Sequence, residues 1–145
     1  MPAPSVDGAA KICTLAGLSD MPGLVDTNIL VYRVDQRFPE KRARATAFLR
    51  RGLERDELRV PHQAIVEFAA AVTRRRGKAG SILAREEAKL QTEALLAQFP
   101  VVYPTEGVLR LALRGSATHR LSWFDAHMWA YAEFYGLSPL YTEDF

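Results

Sequence analysis

Four acidic residues stand where this sequence could do chemistry: Asp26, Glu67, Asp125 and Asp144. Asp26 follows Leu24-Val25, which places it at the carboxyl end of a short buried strand. Taken alone, an aspartate at a strand-to-helix junction reads as the cap of the helix opening near Thr27-Asn28. Glu67 lies in Ala64-Ile65-Val66-Glu67-Phe68-Ala69-Ala70-Ala71-Val72, among apolar neighbours only. At about 100° per residue that run covers the whole circumference of a helix, so the helix is expected to be buried nearly all round. A carboxylate there is costly unless a cation or metal accompanies it; the competing reading is a solvent-facing stripe or an ion pair with a distant arginine. Asp125 closes Ser122-Trp123-Phe124-Asp125, a capping box with Asp in place of Glu, at the head of an apolar helix expected to be buried. Asp144 comes just after Leu140-Tyr141-Thr142, with Glu143 beside it as an equal candidate.

Each acid has an ordinary role available. Gathered at one place, they would repel one another and stay ionised only with cations among them. With no histidine or cysteine partner, such a set favours Mg²⁺ or Mn²⁺ over zinc. Ions of that kind assist phosphodiester hydrolysis by activating water and neutralising charge on the attacking and leaving oxygens. His62, His119 and His127 pair with no serine or cysteine in a recognisable catalytic order, and no chemistry is assigned to them.

The elements that must position these residues alternate along the chain. Strands are expected at Gly23–Asp26, Leu58–Val60, Val101–Tyr103 and Pro139–Tyr141. Helical segments are expected at Ile29–Tyr32, from Pro39 to about Leu53, at His62–Arg76 (stopped by Gly77), Leu83–Gln98, Thr105–Ala117 and Trp123–Tyr135. Pro39 suits a first helical turn, Thr105 and Ser122 are N-caps, and Gly136 closes the last helix. Short strands separated by helices imply an α/β fold with a parallel sheet covered on both faces. In such sheets functional groups collect beyond the carboxyl ends of the strands, which is where the acids fall.

The chain has 145 residues, enough for one domain with a real core. Residues 1–20 carry Pro2, Pro4, Gly8 and Gly17 without periodicity and read as a loose extension; Met21 is a candidate start of the compact domain, 21–145. One cysteine, Cys13, excludes an intramolecular disulfide and any cysteine zinc cluster. With no apolar run of membrane-spanning length, a cytoplasmic protein is expected. The net charge of +2 is too small to identify a nucleic-acid binder. Its distribution says more: Arg42, Arg44, Arg50, Arg51, Arg55 and Arg59 form one cluster, and Arg74, Arg75, Arg76 and Lys78 another. Either could neutralise phosphates, although a solvated helix face explains each cluster by itself.

Leu24-Val25-Asp26-Thr27-Asn28-Ile29-Leu30, Ile65-Val66-Glu67-Phe68, Leu121-Ser122-Trp123-Phe124-Asp125-Ala126 with Ala130 and Ala132, and Leu140-Tyr141-Thr142-Glu143-Asp144 follow one another in order. Together they resemble the PIN-domain family, in particular its VapC-type toxins, from about Gly23 to Phe145. The resemblance implies a three-layer α/β/α sandwich with a parallel sheet of four to five strands. It implies a Mg²⁺- or Mn²⁺-dependent endoribonuclease whose metal and catalytic residues are Asp26, Glu67, Asp125 and Asp144. Thr27, Asn28, Ser122, Thr142 and Glu143 would support them by orienting a carboxylate or a water. It further implies an RNA substrate, a cognate antitoxin and a homodimer. Relatives commonly continue past the fourth acid into a last strand, whereas this sequence stops at Phe145, so either that strand is missing or the sequence is that of a truncated product.

The expected reaction is hydrolysis leaving a 5′-phosphate and a 3′-hydroxyl. Asp26, Asp125 and Asp144 would hold the ion, and Glu67 would help bind it or accept the water's proton. Arginine clusters would hold the RNA backbone. Trp123 and Tyr32 could stack bases, although core packing is the expected role of both. The alternative is a PIN-like module that binds RNA or a partner with little or no cleavage. A receiver-like signalling domain would want a lysine after a late strand, and Pro139-Leu140-Tyr141-Thr142-Glu143 has none. A phosphatase with an aspartate nucleophile would want a second aspartate where Asn28 stands.

Overall fold

A computed structural model describes residues 21–139. Leu24 and Val25 set the architecture. Successive strand residues face opposite sides of a sheet, and these two, both with no exposed surface, enter two different cores. Val25 joins Ile29, Leu30, Leu49, Val60, Phe68 and others in the larger core. Leu24 joins Val108, Ala112, Met128 and Tyr131 in the smaller one. The sheet between them has four parallel strands, β1 (Gly23–Leu24), β2 (Leu58–Pro61), β3 (Val101–Val102) and β4 (Ser138–Pro139), in the order β3-β2-β1-β4. Gly23 pairs with Leu58 on one side and with Ser138 on the other.

The helices are α1 (Thr27–Tyr32), α2 (Pro39–Glu54), α3 (His62–Thr73), α4 (Arg85–Gln98), α5 (Glu106–His119) and α6 (Trp123–Tyr135). Helices α1 to α4 cover the Val25 face and α5 and α6 the Leu24 face, giving the expected three-layer α/β/α sandwich. Local signals account for several helix ends. Pro39 occupies the first turn of α2, and the Thr105 hydroxyl accepts the Val108 amide at 3.1 Å. Gly136 ends α6 at φ 66°, a left-handed position that glycine adopts without strain, and its amide bonds to the Ala132 carbonyl. Against α5, Trp129 of α6 comes so close to Gly115 that a Cβ there would lie 2.7 Å from its ring.

Several expectations are corrected. Helix α3 stops at Thr73 rather than Arg76, because Arg74 turns extended (ψ 130°) and Leu83 folds back to donate its amide to the Val72 carbonyl. That bond also takes Leu83 out of α4, which begins at Arg85. Helix α5 runs on to His119 and ends at Arg120 in a left-handed conformation. Strands β1 and β3 end earlier than expected, at Leu24 and Val102, whereas β2 runs on through Pro61 and β4 begins at Ser138; the end of β1 leaves Asp26 as the cap of α1. Most consequential for function, α3 is not buried all round: Val66 is 55% exposed and Glu67 half-buried. Trp123, expected in the core, is 50% exposed, whereas Tyr32 does pack against the larger core.

Candidate active site at the carboxyl edge of the sheet

Because all four strands are parallel, their carboxyl ends share one edge. Helices α1 and α3 start there, since each follows β1 or β2 almost directly. Helix α6 returns to β4 through a two-residue link, Gly136-Leu137, so it runs against the strands and its first turn lies at the same edge. Asp26, Glu67 and Asp125 are thereby all carried on segments that meet this edge.

Asp26 is only 6% exposed. Its Oδ1 accepts the Asn28 amide at 3.5 Å, so the capping role is real but the bond is long. The Asn28 side chain is exposed, and its contribution here is that backbone amide. Thr27 is buried, and its hydroxyl donates to Glu67 Oε2 at 3.0 Å, joining α1 to α3 across forty residues of sequence. From the other side, Gln63 Nε2 donates to Glu67 Oε1 at 3.1 Å. Both oxygens of Glu67 are therefore held by neutral donors, and among the described residues no lysine or arginine forms an ion pair with it. The carboxylate is pinned by orientation rather than neutralised.

Asp125 is half-buried in the first turn of α6, where the helix dipole favours a carboxylate. Its amide donates to Ser122 Oγ at 3.1 Å, which completes one half of the expected capping box. The structure thus links Thr27, beside Asp26, to Glu67. Among the described residues no three histidine, cysteine, aspartate or glutamate side chains gather as a metal-binding group. The fourth acid, Asp144, with Thr142 and Glu143, lies outside the described residues.

Gln63 escaped the sequence reading, although its i, i+4 spacing from Glu67 on one helix was a usable signal. The same residue lines a cavity of about 550 Å³ between the starts of α3 and α5 and the middle turns of α6. His62, Val66, Leu109, His127 and Tyr131 contribute to its walls. Nothing in the spacing of the two histidines points to this meeting. Tyr131 is 1% exposed, and burial raises its phenol above the ordinary value. The backbone N–H of Gln63 opposes the rise without completing a hydrogen bond, and Tyr135 adds to the rise.

The PIN-domain model matches residues 23–145, which spans every element described. The chain belongs to the PIN-domain family, whose members are generally nucleases. Among curated proteins none matches it.

Proposed function

We propose that this protein is a metal-dependent endoribonuclease, and that it acts as the toxin of a VapC-type toxin–antitoxin pair. The observation that carries the reading is the Glu67 carboxylate, held by Thr27 and Gln63 next to the buried Asp26 in a PIN-family chain. The donors Asp26, Glu67 and Asp125 are all carboxylates, with the Thr27 hydroxyl beside them. In kind they suit a hard divalent cation, Mg²⁺ or Mn²⁺, and Asp144 would complete the set. Such an ion, when bound, supplies charge neutralisation at the scissile phosphate and a more acidic water.

The residues divide the remaining work. Asp26, Asp125 and Asp144 bind and orient. Each oxygen of Glu67 accepts one hydrogen bond and keeps a second lone pair, so Oε2 can take the proton of the attacking water. The water oxygen bonds to phosphorus as the bond to the 3′-oxygen breaks; that leaving oxygen takes a proton from solvent, and Glu67 returns its proton to solvent. A 5′-phosphate and a 3′-hydroxyl result. RNA, a cognate antitoxin and a second copy of the chain are the partners this reading entails.

The test is cleavage of single-stranded RNA by purified protein with Mg²⁺ or Mn²⁺. Activity should vanish with chelator and fall at least about a hundredfold in Asp26→Asn, a loss of roughly 3 kcal/mol of transition-state stabilisation. RNA binding without cleavage under either ion would instead leave a binding module.

A further inference from the structure

We infer that the cavity walled by Gln63, His127 and Tyr131 is a subsite for one unstacked base of a single-stranded RNA. This rests on the ribonuclease reading for its placement, but its own argument is physical. The volume, about 550 Å³, lies within the range of small-molecule sites. Gln63 forms part of the wall and at the same time holds Glu67, so an occupant sits one side chain away from the candidate catalytic carboxylate. A base and its own phosphodiester have that relationship.

The lining selects the chemistry. Among the described residues no lysine or arginine contributes to it, and the exposed Glu106 lines it, which disfavours a phosphate or any other anion. What remains is flat or aliphatic surface with polar points, suited to a ring with an apolar face and a hydrogen-bonding edge. His62 and His127 bring imidazole rings, and Val66 and Leu109 bring exposed aliphatic wall. The His127 Nδ1 lies 2.9 Å from the Trp123 carbonyl, which can only accept, so Nδ1 donates there and leaves Nε2 for an occupant. Tyr131 adds a buried hydroxyl that completes no hydrogen bond among the described residues, a group that a folded chain rarely leaves unmet without use. The exposed rings of Tyr103, against His62, and Trp123, against His127, extend the aromatic surface outward for neighbouring bases.

The experiment measures binding of a short fluorescein-labelled single-stranded RNA to the full chain by anisotropy, in chelator so that no cleavage occurs. The comparison probe is the same strand built from abasic residues. Val66→Trp and Leu109→Trp fill the cavity from exposed positions, and Tyr131→Phe removes only the hydroxyl. The inference expects intact RNA to lose about tenfold in affinity in both tryptophan variants, the scale of one stacked base. Tyr131→Phe should change the preference among homopolymer RNAs, and the abasic strand should bind wild type and variants alike. Equal affinity of all proteins for intact RNA, or an abasic strand that binds the wild-type protein as tightly as intact RNA does, overturns it. So does a concentration-dependent dimer in sedimentation that Val66→Trp dissolves, which would assign the cavity to an interface between copies. Base-dependent binding without any cleavage under Mg²⁺ or Mn²⁺ defeats the nuclease reading and leaves the subsite standing. Cleavage with unaltered KM in the tryptophan variants defeats the subsite alone.

Discussion

Thr27 is the residue on which the arrangement at the carboxyl edge turns. Its hydroxyl is the contact that joins α1, beside Asp26, to Glu67 on α3. Thr27→Val keeps the shape and removes that donor, leaving Glu67 held by Gln63 alone. A hydrogen bond to a charged, half-buried group is worth about 1–2 kcal/mol, so kcat for RNA cleavage should fall by about tenfold while KM stays put. Thr27→Ser should restore most of it. Asp35, in the turn after α1, shows the opposite use of an acid. It is 2% exposed and takes a paired grip from Arg37, Nε to Oδ1 at 2.9 Å and the terminal nitrogen to Oδ2 at 2.7 Å. The side-chain hydrogen bonds from Arg37 hold its carboxyl below the ordinary value; burial opposes this, and the Arg37 amide and the charges of Arg37 and Arg76 reinforce it. A carboxyl depressed in the folded state contributes stability above its unfolded pKa and loses it as pH falls through the folded one. Asp35→Asn should therefore lower the urea midpoint at neutral pH. The gap from wild type should close as pH drops below the carboxylate range.

At the scale of elements, the site depends on where α1, α3 and α6 begin, and that depends on packing behind them. Helix α6 is set against α5 at Gly115, where the Trp129 ring occupies the space a Cβ would need. Gly115→Ala gains roughly 1 kcal/mol of helix propensity. Overpacking a buried helix contact costs about 1–3 kcal/mol, and a rigid indole gives way less easily than a flexible chain. The net expectation is a lower unfolding midpoint. Combining it with Trp129→Leu should recover much of the loss, a coupling that a double-mutant cycle in denaturant reads directly. Helix α3 teaches the converse. Its apolar run reads as burial on every side, yet Val66 faces solvent, because β2 and the neighbouring helices cover only part of its circumference.

At the scale of the molecule, the cations are spread rather than focused on the acids. Arg42, Arg44, Arg50 and Arg51 are exposed on α2 and Arg55 just past its end, the solvated face that composition alone suggested. Arg74, Arg75, Arg76 and Lys78 are exposed just beyond the end of α3, with Arg74 about 10 Å of helix rise from Glu67. A strand of RNA cleaved at the acids would reach them. Replacing Arg74 and Arg75 together by alanine should weaken RNA binding at low salt. It should also flatten the log–log salt dependence by about one to one and a half, the release expected for two single-strand phosphate contacts. A salt slope unchanged from wild type would show that the strand leaves the site in another direction. Among the described residues, no helix is long and apolar enough to cross a membrane.

The sequence by itself determined the α/β class, the order of elements and the placing of Asp26 and Asp125 at helix starts. Those properties rest on local rules: alternation of apolar runs, a proline at a first turn, caps at Thr105 and Ser122, a glycine at position 136. It also singled out Glu67, though for a partly mistaken reason, since that acid is half-open and held by hydrogen bonds rather than stranded in a core. Tertiary structure alone decided that Thr27 is its partner, that Trp123 faces outward, and that His62, His127 and Tyr131 share one cavity. Each of those depends on contacts between residues far apart in the chain or on how much of a helix its neighbours cover. Periodicity along a sequence reports which residues share a face; only the packed molecule determines what that face meets.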